Sequence, residues 1–291
     1  MTSSIRVACA QYEIGSPSTW DDYARKIERW VIEASSGGAQ LIVFPEYFSM
    51  ELAHLFPEPT RKSLRLQLDA LQDLLVGFQG LFSNLAQTHG VHIVAGTFPV
   101  RDADGCYRNR CFLFYPNGDL RHQDKMQMTR FENEVWKISR GREVHTFDTC
   151  FGRIGINICY DSEFPMIARH QVEMGAELII VPSCTDTLAG YWRVRIGCQA
   201  RALENQCYVI QSPTVGKAPW SEAVDVNIGA AAIYTPVDYG FPDDGVLAIG
   251  RRDVSCWVFG EVDLKEIGRI RCSGQVFNYR DWPGQFNLTS A

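Results

Sequence analysis

The stretch GRIGINICYDSEFP, at residues 152–165, decides the fold that the sequence predicts. Isoleucines at alternate positions from 154 to 158 fall on one face of a predicted strand over 153–159, because successive side chains of a strand point to opposite faces. Cys159 closes this apolar run, and a helix is expected over about 164–174. A buried strand that leads directly into a helix is typical of an α/β domain.

The same succession of strands and helices continues in both directions from this stretch. LIVF at 41–44 is a continuous apolar run cut by Pro45, as expected of a buried strand. Further strands are predicted at 5–10, 91–96, 111–115, 178–181, 208–211 and near 228–234, 246–250 and 255–261, and helices at 19–34, 65–88 and 190–206. No linker or repeat interrupts this order, so we predict one domain over 1–270 and a C-terminal tail over 271–291.

Composition argues against several classes of protein. The formal net charge of −6 disfavours a nucleic-acid surface. No stretch approaches the roughly 18 apolar residues of a membrane span, and MTSSIRVACAQYEIG at the start lacks the pattern of a signal peptide. The ten cysteines are scattered singly, without zinc-ligand spacing. We therefore predict a cytoplasmic protein with no metal, cofactor, nucleic-acid or membrane partner.

Two reactive residues follow or close an apolar run, Glu46 in LIVFPEYF and Cys159 in GINICYD, and Lys125 after LRHQD fits the same pattern less cleanly. Ligands of open α/β sheets bind beyond the carboxyl ends of the strands, so the three could converge. A thiolate attacks a carbonyl carbon, a carboxylate transfers the proton and a lysine stabilises the oxyanion. Each also has a purely structural explanation: a core thiol, a helix cap and a solvated charge.

These residues lie in motifs that resemble those of the nitrilase superfamily, the carbon–nitrogen hydrolases. FPE around Glu46 matches the glutamate motif, DKMQM with Lys125 looks like the lysine motif, and ICYDSEFP with Cys159 resembles the nucleophile motif CYDxxFP. ARALENQCYV at 200–209 matches the flanking pattern. The resemblance covers the chain to about residue 270 and implies a single-domain, four-layer αββα sandwich and a homodimer or higher homo-oligomer.

The family also has a second glutamate between the lysine and a downstream glycine. In TRFENEVWKISRG the candidates are Glu132 and Glu134, and the spacing back from Gly141 favours Glu134. By the resemblance, this residue would hold Lys125 and polarise the site.

The residues around the nucleophile indicate which bond is cleaved. Cys159-Tyr160-Asp161 is similar to the amidase and carbamoylase branches, whereas true nitrilases usually carry Cys-Trp-Glu. The prediction is hydrolysis of a small-molecule amide through a thioester, giving a carboxylate and ammonia or an amine. The backbone N–H of Tyr160 would assist Lys125 in holding the oxyanion.

Residues that flank the predicted strand ends are candidates for contact with the substrate. They are Tyr47, Tyr160, Glu163 and Thr185, and Glu163 would favour a substrate that bears an amine. The alternatives are a nitrile hydrolase, an N-carbamoyl amine hydrolase or an acyl transferase on the same scaffold, and a binding protein without catalysis.

Overall fold

The computed structural model describes residues 4–287, and this part of the chain alternates between strands and helices. The strands are β1 (Ser4–Glu13), β2 (Leu41–Phe44), β3 (His92–Arg101), β4 (Tyr107–Phe114), β5 (Leu120–Asp124), β6 (Ile138–Ser139), β7 (Thr146–Thr149), β8 (Gly152–Ile156), β9 (Leu178–Ser183), β10 (Tyr208–Lys217), β11 (Val226–Asn227), β12 (Ala232–Tyr234), β13 (Val246–Ile249) and β14 (Cys256–Asp263). The helices are α1 (Trp20–Ser36), α2 (Glu58–Arg61), α3 (Leu64–Leu71), α4 (Leu75–His89), α5 (Pro165–Glu173), α6 (Leu188–Asn205), α7 (Leu264–Ser273) and α8 (Asn278–Asp281). Shorter helical turns span Phe48–Leu55, Gln72–Leu74, Phe131–Trp136, Cys159–Glu163 and Trp282–Asn287.

Two sheets face each other and join at one edge. The first runs in the order β5-β4-β3-β2-β1, with β14 antiparallel to β1. The second runs β10-β9-β8-β7, with β12 beside β10 and β13 beside β12. They join where the end of β1 pairs with β10, at Tyr12 with Thr214 and Glu13 with Val215. Parallel pairing of β1, β2 and β3, and of β8, β9 and β10, brings the carboxyl ends of these strands together.

Alternation along the strands divides the core into layers. On β2, Leu41 and Val43 pack between the two sheets, whereas Ile42 and Phe44 pack outward among residues of α1 and α4. The outer face of the second sheet packs on α5 and α6, through residues such as Val172 and Cys198. Full burial of each such side chain stabilises the fold by about 1.5–3 kcal/mol. The order helix, sheet, sheet, helix confirms the predicted αββα sandwich in a single domain.

Two predicted elements differ from the structure. The strand predicted over 153–159 ends at Ile156, because the chain turns sharply at Cys159. The helix predicted over 65–88 is two helices, α3 and α4, separated by the turn Gln72–Leu74. The amide of Gln72 explains this break, since it donates to the Pro99 carbonyl oxygen and accepts from the Arg101 N–H.

The end of the described chain packs on the second helical layer. The boundary predicted at residue 270 falls inside α7, and the guanidinium of Arg169 on α5 donates to the Tyr279 carbonyl oxygen and lies 5.0 Å from the Tyr279 ring. The division into a domain and a tail stays a prediction, and 288–291 of that tail lie outside the described residues. Across 4–287, none of the helices has the length and apolar character needed to cross a membrane.

Candidate active site

Cys159 lies on a sharp turn just beyond the end of β8. Its φ is +48°, in the left-handed region that a residue with a Cβ occupies only when its surroundings hold it there. Ser162 Oγ donates to the Cys159 carbonyl oxygen at 2.7 Å and stabilises the turn. Cys159 Sγ lies 3.7 Å from the carbonyl oxygen of Cys184, which follows β9. The turn therefore presents a buried thiol to the cavity where the parallel strands end.

Glu46 follows β2 and is held close to β3. A Cβ on Gly96 would lie 1.9 Å from the Pro45 carbonyl oxygen, and Gly96 has a φ of +53°, so this close approach requires glycine. The Glu46 carboxylate is 1% exposed and accepts a hydrogen bond of 2.8 Å from Asn109 Nδ2 on β4. Backbone packing and a buried amide therefore fix this carboxylate.

Lys125 comes directly after β5, and its ammonium lies between two buried carboxylates. Nζ is 2.8 Å from Glu46 Oε1 and 2.7 Å from Glu132 Oε2. Asn109 Nδ2 donates to both carboxylates, at 2.8 Å to Glu46 and 3.2 Å to Glu132. The structure thus brings Glu46, Lys125 and Cys159 into one cavity, as the positions of the predicted strand ends suggested.

The structure corrects the choice of Glu134 as the glutamate that holds Lys125. The Glu134 side chain is 52% exposed and forms an ion pair of 2.9 Å with Arg130 on the surface. Glu132 takes the predicted position, since it is buried and also accepts a 2.7 Å bond from the Tyr47 hydroxyl. The two side chains are two residues apart in the turn Phe131–Trp136, and such neighbours point in different directions on a helix.

A local signal in the sequence identifies Glu132. Thr129-Arg-Phe-Glu132 has the spacing of a capping box, in which the first side chain bonds the backbone of the fourth residue and the fourth bonds the backbone of the first. Both bonds are present: Glu132 N donates to Thr129 Oγ1 at 3.3 Å, and Thr129 N donates to Glu132 Oε2 at 2.9 Å. Asn109 has no comparable signal, because it lies in a strand whose neighbours do not distinguish it.

The Lys125 ammonium attracts both buried carboxylates, which repel each other. Burial lowers the pKa of Lys125, but Glu132 and Glu46 outweigh this and raise it well above its usual value. Burial raises the pKa of Glu132, but Lys125 and its hydrogen bonds bring it below the usual value. For Glu46, burial outweighs the attraction of Lys125, and its pKa is raised. Of the two carboxylates, Glu46 is therefore the one better suited to take up a proton.

The surroundings of Cys159 favour its protonated thiol. Burial raises the pKa of Cys159 well above its usual value, the negative charge of Glu46 raises it further, and Lys125 opposes both effects. Interaction with the Cys159 side chain in turn opposes the rise in the pKa of Glu46. A thiol beside a carboxylate needs a transfer of its proton before it can attack, and Glu46 is placed to accept that proton.

The four predicted substrate-binding residues all line the cavity, whose volume is about 530 Å³. Three of them already have partners. The Tyr47 hydroxyl donates to Glu132, and Thr185 Oγ1 donates to the Ile228 carbonyl oxygen at 2.7 Å. The Glu163 carboxylate accepts from Arg193 Nε at 3.4 Å. Tyr160 and Glu163 lie on the wall beside Cys159. Among residues 4–287, no group of three or more histidine, cysteine, aspartate or glutamate side chains could hold a metal ion.

The sequence is similar to those of known proteins. The family model described as carbon–nitrogen hydrolase matches residues 6–250. A probable hydrolase of Bacillus subtilis, YhcX, is 35% identical over 277 residues that cover 95% of this chain and 53% of YhcX, so the chain spans about half the length of that relative. The human omega-amidase NIT2 is 27% identical over 287 residues, which cover 96% of this chain and 95% of NIT2.

The fold also matches a solved structure. The crystal structure of Saccharomyces cerevisiae Nit3, a member of branch 10 of the nitrilase superfamily, aligns with a TM-score of 0.71 at 24% sequence identity. The alignment covers 93% of this chain and 94% of Nit3. At that identity the likeness concerns the fold alone, and it agrees with the four layers described above.

Proposed function

Because this chain belongs to the carbon–nitrogen hydrolase family and is an enzyme of that class, we propose that it hydrolyses a small-molecule amide through a thioester on Cys159. Glu46 is the general base and acid, Lys125 holds the oxyanion and Glu132 holds Lys125. The products are a carboxylate and ammonia or an amine.

The main support for this proposal is the position of the Lys125 ammonium. The Lys125 ammonium lies 2.8 Å from Glu46 and 2.7 Å from Glu132, inside the cavity that also contains the Cys159 thiol. A buried ammonium with two carboxylate partners is costly to desolvate. Its benefit is that a fixed positive charge stabilises a negative oxygen that forms during the reaction.

The steps follow from these positions. Glu46 takes the thiol proton while Cys159 Sγ attacks the amide carbon, so a carbon–sulfur bond forms and the carbonyl electron pair moves to oxygen. The Lys125 ammonium and the Tyr160 N–H hydrogen-bond to that oxygen. Glu46 returns the proton to the nitrogen and the carbon–nitrogen bond breaks. Water then gives a proton to Glu46 and attacks the thioester, which releases the acid and the thiol.

The residues after the nucleophile support an amide as the substrate. Cys159 is followed by Tyr160 and Asp161, as in the amidase and carbamoylase branches, and one of the similar proteins is named an omega-amidase. A nitrile hydrolase and an N-carbamoyl amine hydrolase remain the alternatives on this scaffold, because both would use the same thiol and lysine.

The test is ammonia release from a panel of ω-amides, carbamoyl amines, aliphatic amides and nitriles, with Cys159→Ala as the blank. We expect the native enzyme to release ammonia from at least one amide and the blank to release none. A higher kcat/KM for nitriles than for every amide would favour the nitrile hydrolase. Equal release by native enzyme and blank would contradict a cysteine mechanism. A native enzyme inactive on every amide of the panel would contradict the proposed substrate class.

Glu163 supports a substrate that bears an amine. It lines the cavity with a side chain 21% exposed, and its ion pair with the exposed Arg193 is 3.4 Å long. Glu163→Gln should lower the preference in kcat/KM for cationic over neutral amides about tenfold, which corresponds to roughly 1.4 kcal/mol. Glu134→Gln, which removes a carboxylate outside the cavity, is the control. An unchanged preference in Glu163→Gln would contradict this role.

We also propose that the enzyme is a homodimer or a higher homo-oligomer. Large apolar side chains are exposed along α6 at helical spacing, at Leu188, Trp192, Ile196 and Leu203. An exposed apolar stripe of this kind favours a contact between proteins, and a second copy of this chain is the partner that the family resemblance implies.

A further inference from the structure

We infer that Asp161 is a positioning residue that sets the separation between the Cys159 sulfur and the Lys125 ammonium. The inference rests on the proposed function and extends it to a residue that touches neither the reacting atoms nor the substrate cavity. It depends on which backbone groups the Asp161 carboxylate contacts.

The Asp161 carboxylate is 1% exposed and accepts hydrogen bonds from three backbone N–H groups. Met126 N donates to Oδ1 at 3.1 Å and Gln127 N donates to Oδ1 at 2.7 Å. Ile158 N donates to Oδ2 at 3.0 Å. Met126 directly follows Lys125, and Ile158 directly precedes Cys159.

These donors lie in segments that follow strands of different sheets. The segment that carries Lys125 follows β5 and is attached to the first sheet, where Lys125 N donates to the Asn109 carbonyl oxygen at 2.9 Å. The segment that carries Cys159 follows β8 in the second sheet, where Asn157 N donates to the Ile180 carbonyl oxygen at 2.9 Å. Asp161 is bonded to both segments at once, so one carboxylate links the ammonium-bearing loop to the nucleophile-bearing turn.

The hydrogen bonds that Asp161 accepts from the two segments require a carboxylate. Three N–H donors surround it, and bonds between N–H groups and an ionised acceptor are about twice as strong as neutral ones. Burial raises the pKa of Asp161 to about 7, while Lys125 and the three N–H groups oppose that rise. An asparagine would keep the size of the side chain but turn an NH₂ group toward one of the donors, so at least one bond would be lost.

Loss of the link should affect the chemical step more than substrate binding. The cavity walls that contact substrate stay in place, whereas the sulfur and the ammonium are free to move relative to each other. A displacement of about 1 Å between reacting groups can cost on the order of 10²-fold in rate.

The chain offers a matched control in Asp238. This aspartate is also buried, at 8% exposed, and its Oδ1 accepts two backbone bonds of 2.7 Å from Tyr239 N and Gln275 N. Like Asp161 it ties two separate segments together, but it is not part of the cavity. Asp238→Asn therefore reports the effect of losing a structural aspartate of the same kind.

The experiment compares Asp161→Asn, Asp161→Glu and Asp238→Asn with the native enzyme in kcat, KM, Tm and the rate at which iodoacetamide alkylates Cys159. For Asp161→Asn we expect kcat to fall at least 100-fold, KM to change less than threefold and Cys159 alkylation to slow at least tenfold. Alkylation of the exposed Cys150 should be unchanged. Asp238→Asn should keep kcat within about twofold, whatever its Tm.

Asp161→Glu keeps the charge but lengthens the side chain by one methylene, so it decides the question if Asp161→Asn does not fold. We expect its kcat to fall at least tenfold. A folded Asp161 variant with kcat within threefold of native, or a loss no larger than that of Asp238→Asn, would overturn the inference. The alkylation rate needs no substrate, so it tests Asp161 even if the proposed amide hydrolysis fails in the panel.

Discussion

Replacing Lys125 with methionine should lower kcat by at least 10²–10³-fold, the loss that follows removal of one oxyanion donor. The physical reason is the position of Nζ, 2.8 Å from Glu46 and 2.7 Å from Glu132 in the cavity that contains the thiol. Without the ammonium, the developing negative oxygen faces two carboxylates. The measurement is kcat on the best amide of the panel, corrected for the folded fraction.

Stability must be separated from catalysis in this variant. Removing one partner of a buried ion pair typically costs about 3–5 kcal/mol in the free energy of unfolding. Lys26→Met is the matched control, since Lys26 Nζ pairs with the buried Glu51 at 2.8 Å and lies outside the cavity. We expect Lys26→Met to lose stability but keep kcat within about threefold. A folded Lys125→Met with normal turnover would contradict the mechanism.

Glu132→Gln should lower kcat at least 100-fold, whereas Glu134→Gln should leave it within about twofold. Glu132 accepts bonds from Lys125, Tyr47 and Thr129, so an amide in its place would leave the ammonium with only one charged partner and free to move. Glu134 is half exposed, and solvent screens its ion pair with Arg130, so losing that pair should matter little. The two substitutions lie two positions apart in one turn. Comparing the two variants therefore shows how far each substitution affects folding as a whole.

The two variants also decide between the two candidates that the sequence left open. Equal activity of both variants would contradict the assignment of Glu132, and loss of activity only in Glu134→Gln would reverse it. The measurements are kcat and the Tm of each variant under the same conditions.

The sequence allowed prediction of the convergence of Glu46 and Cys159 because each follows or ends an apolar run, whereas the pattern before Lys125 is less clear. Parallel strands place their carboxyl ends at one edge, so residues far apart in sequence meet there. The position of the second glutamate could not be fixed by spacing alone. Glu132 and Glu134 point in different directions from the same helical turn, and only the capping pattern from Thr129 distinguishes them.

Other features depend on contacts between distant segments. Asn109 bridges the carboxylates of Glu46 and Glu132 from the middle of β4, and no neighbouring residue marks it as part of the site. The break between α3 and α4 comes from the amide of Gln72, which bonds to β3. The spacing of the apolar residues predicts a continuous helix there, because it carries no information about contacts with a strand 27 residues away.

Peptide mapping by mass spectrometry of enzyme quenched in acid during turnover of its best amide tests the thioester on Cys159 most directly. We expect the peptide that contains Cys159 to carry the acyl group of that amide, and hydroxylamine to remove it. An acyl group on another thiol, or an unmodified Cys159 peptide while product accumulates, would contradict that expectation.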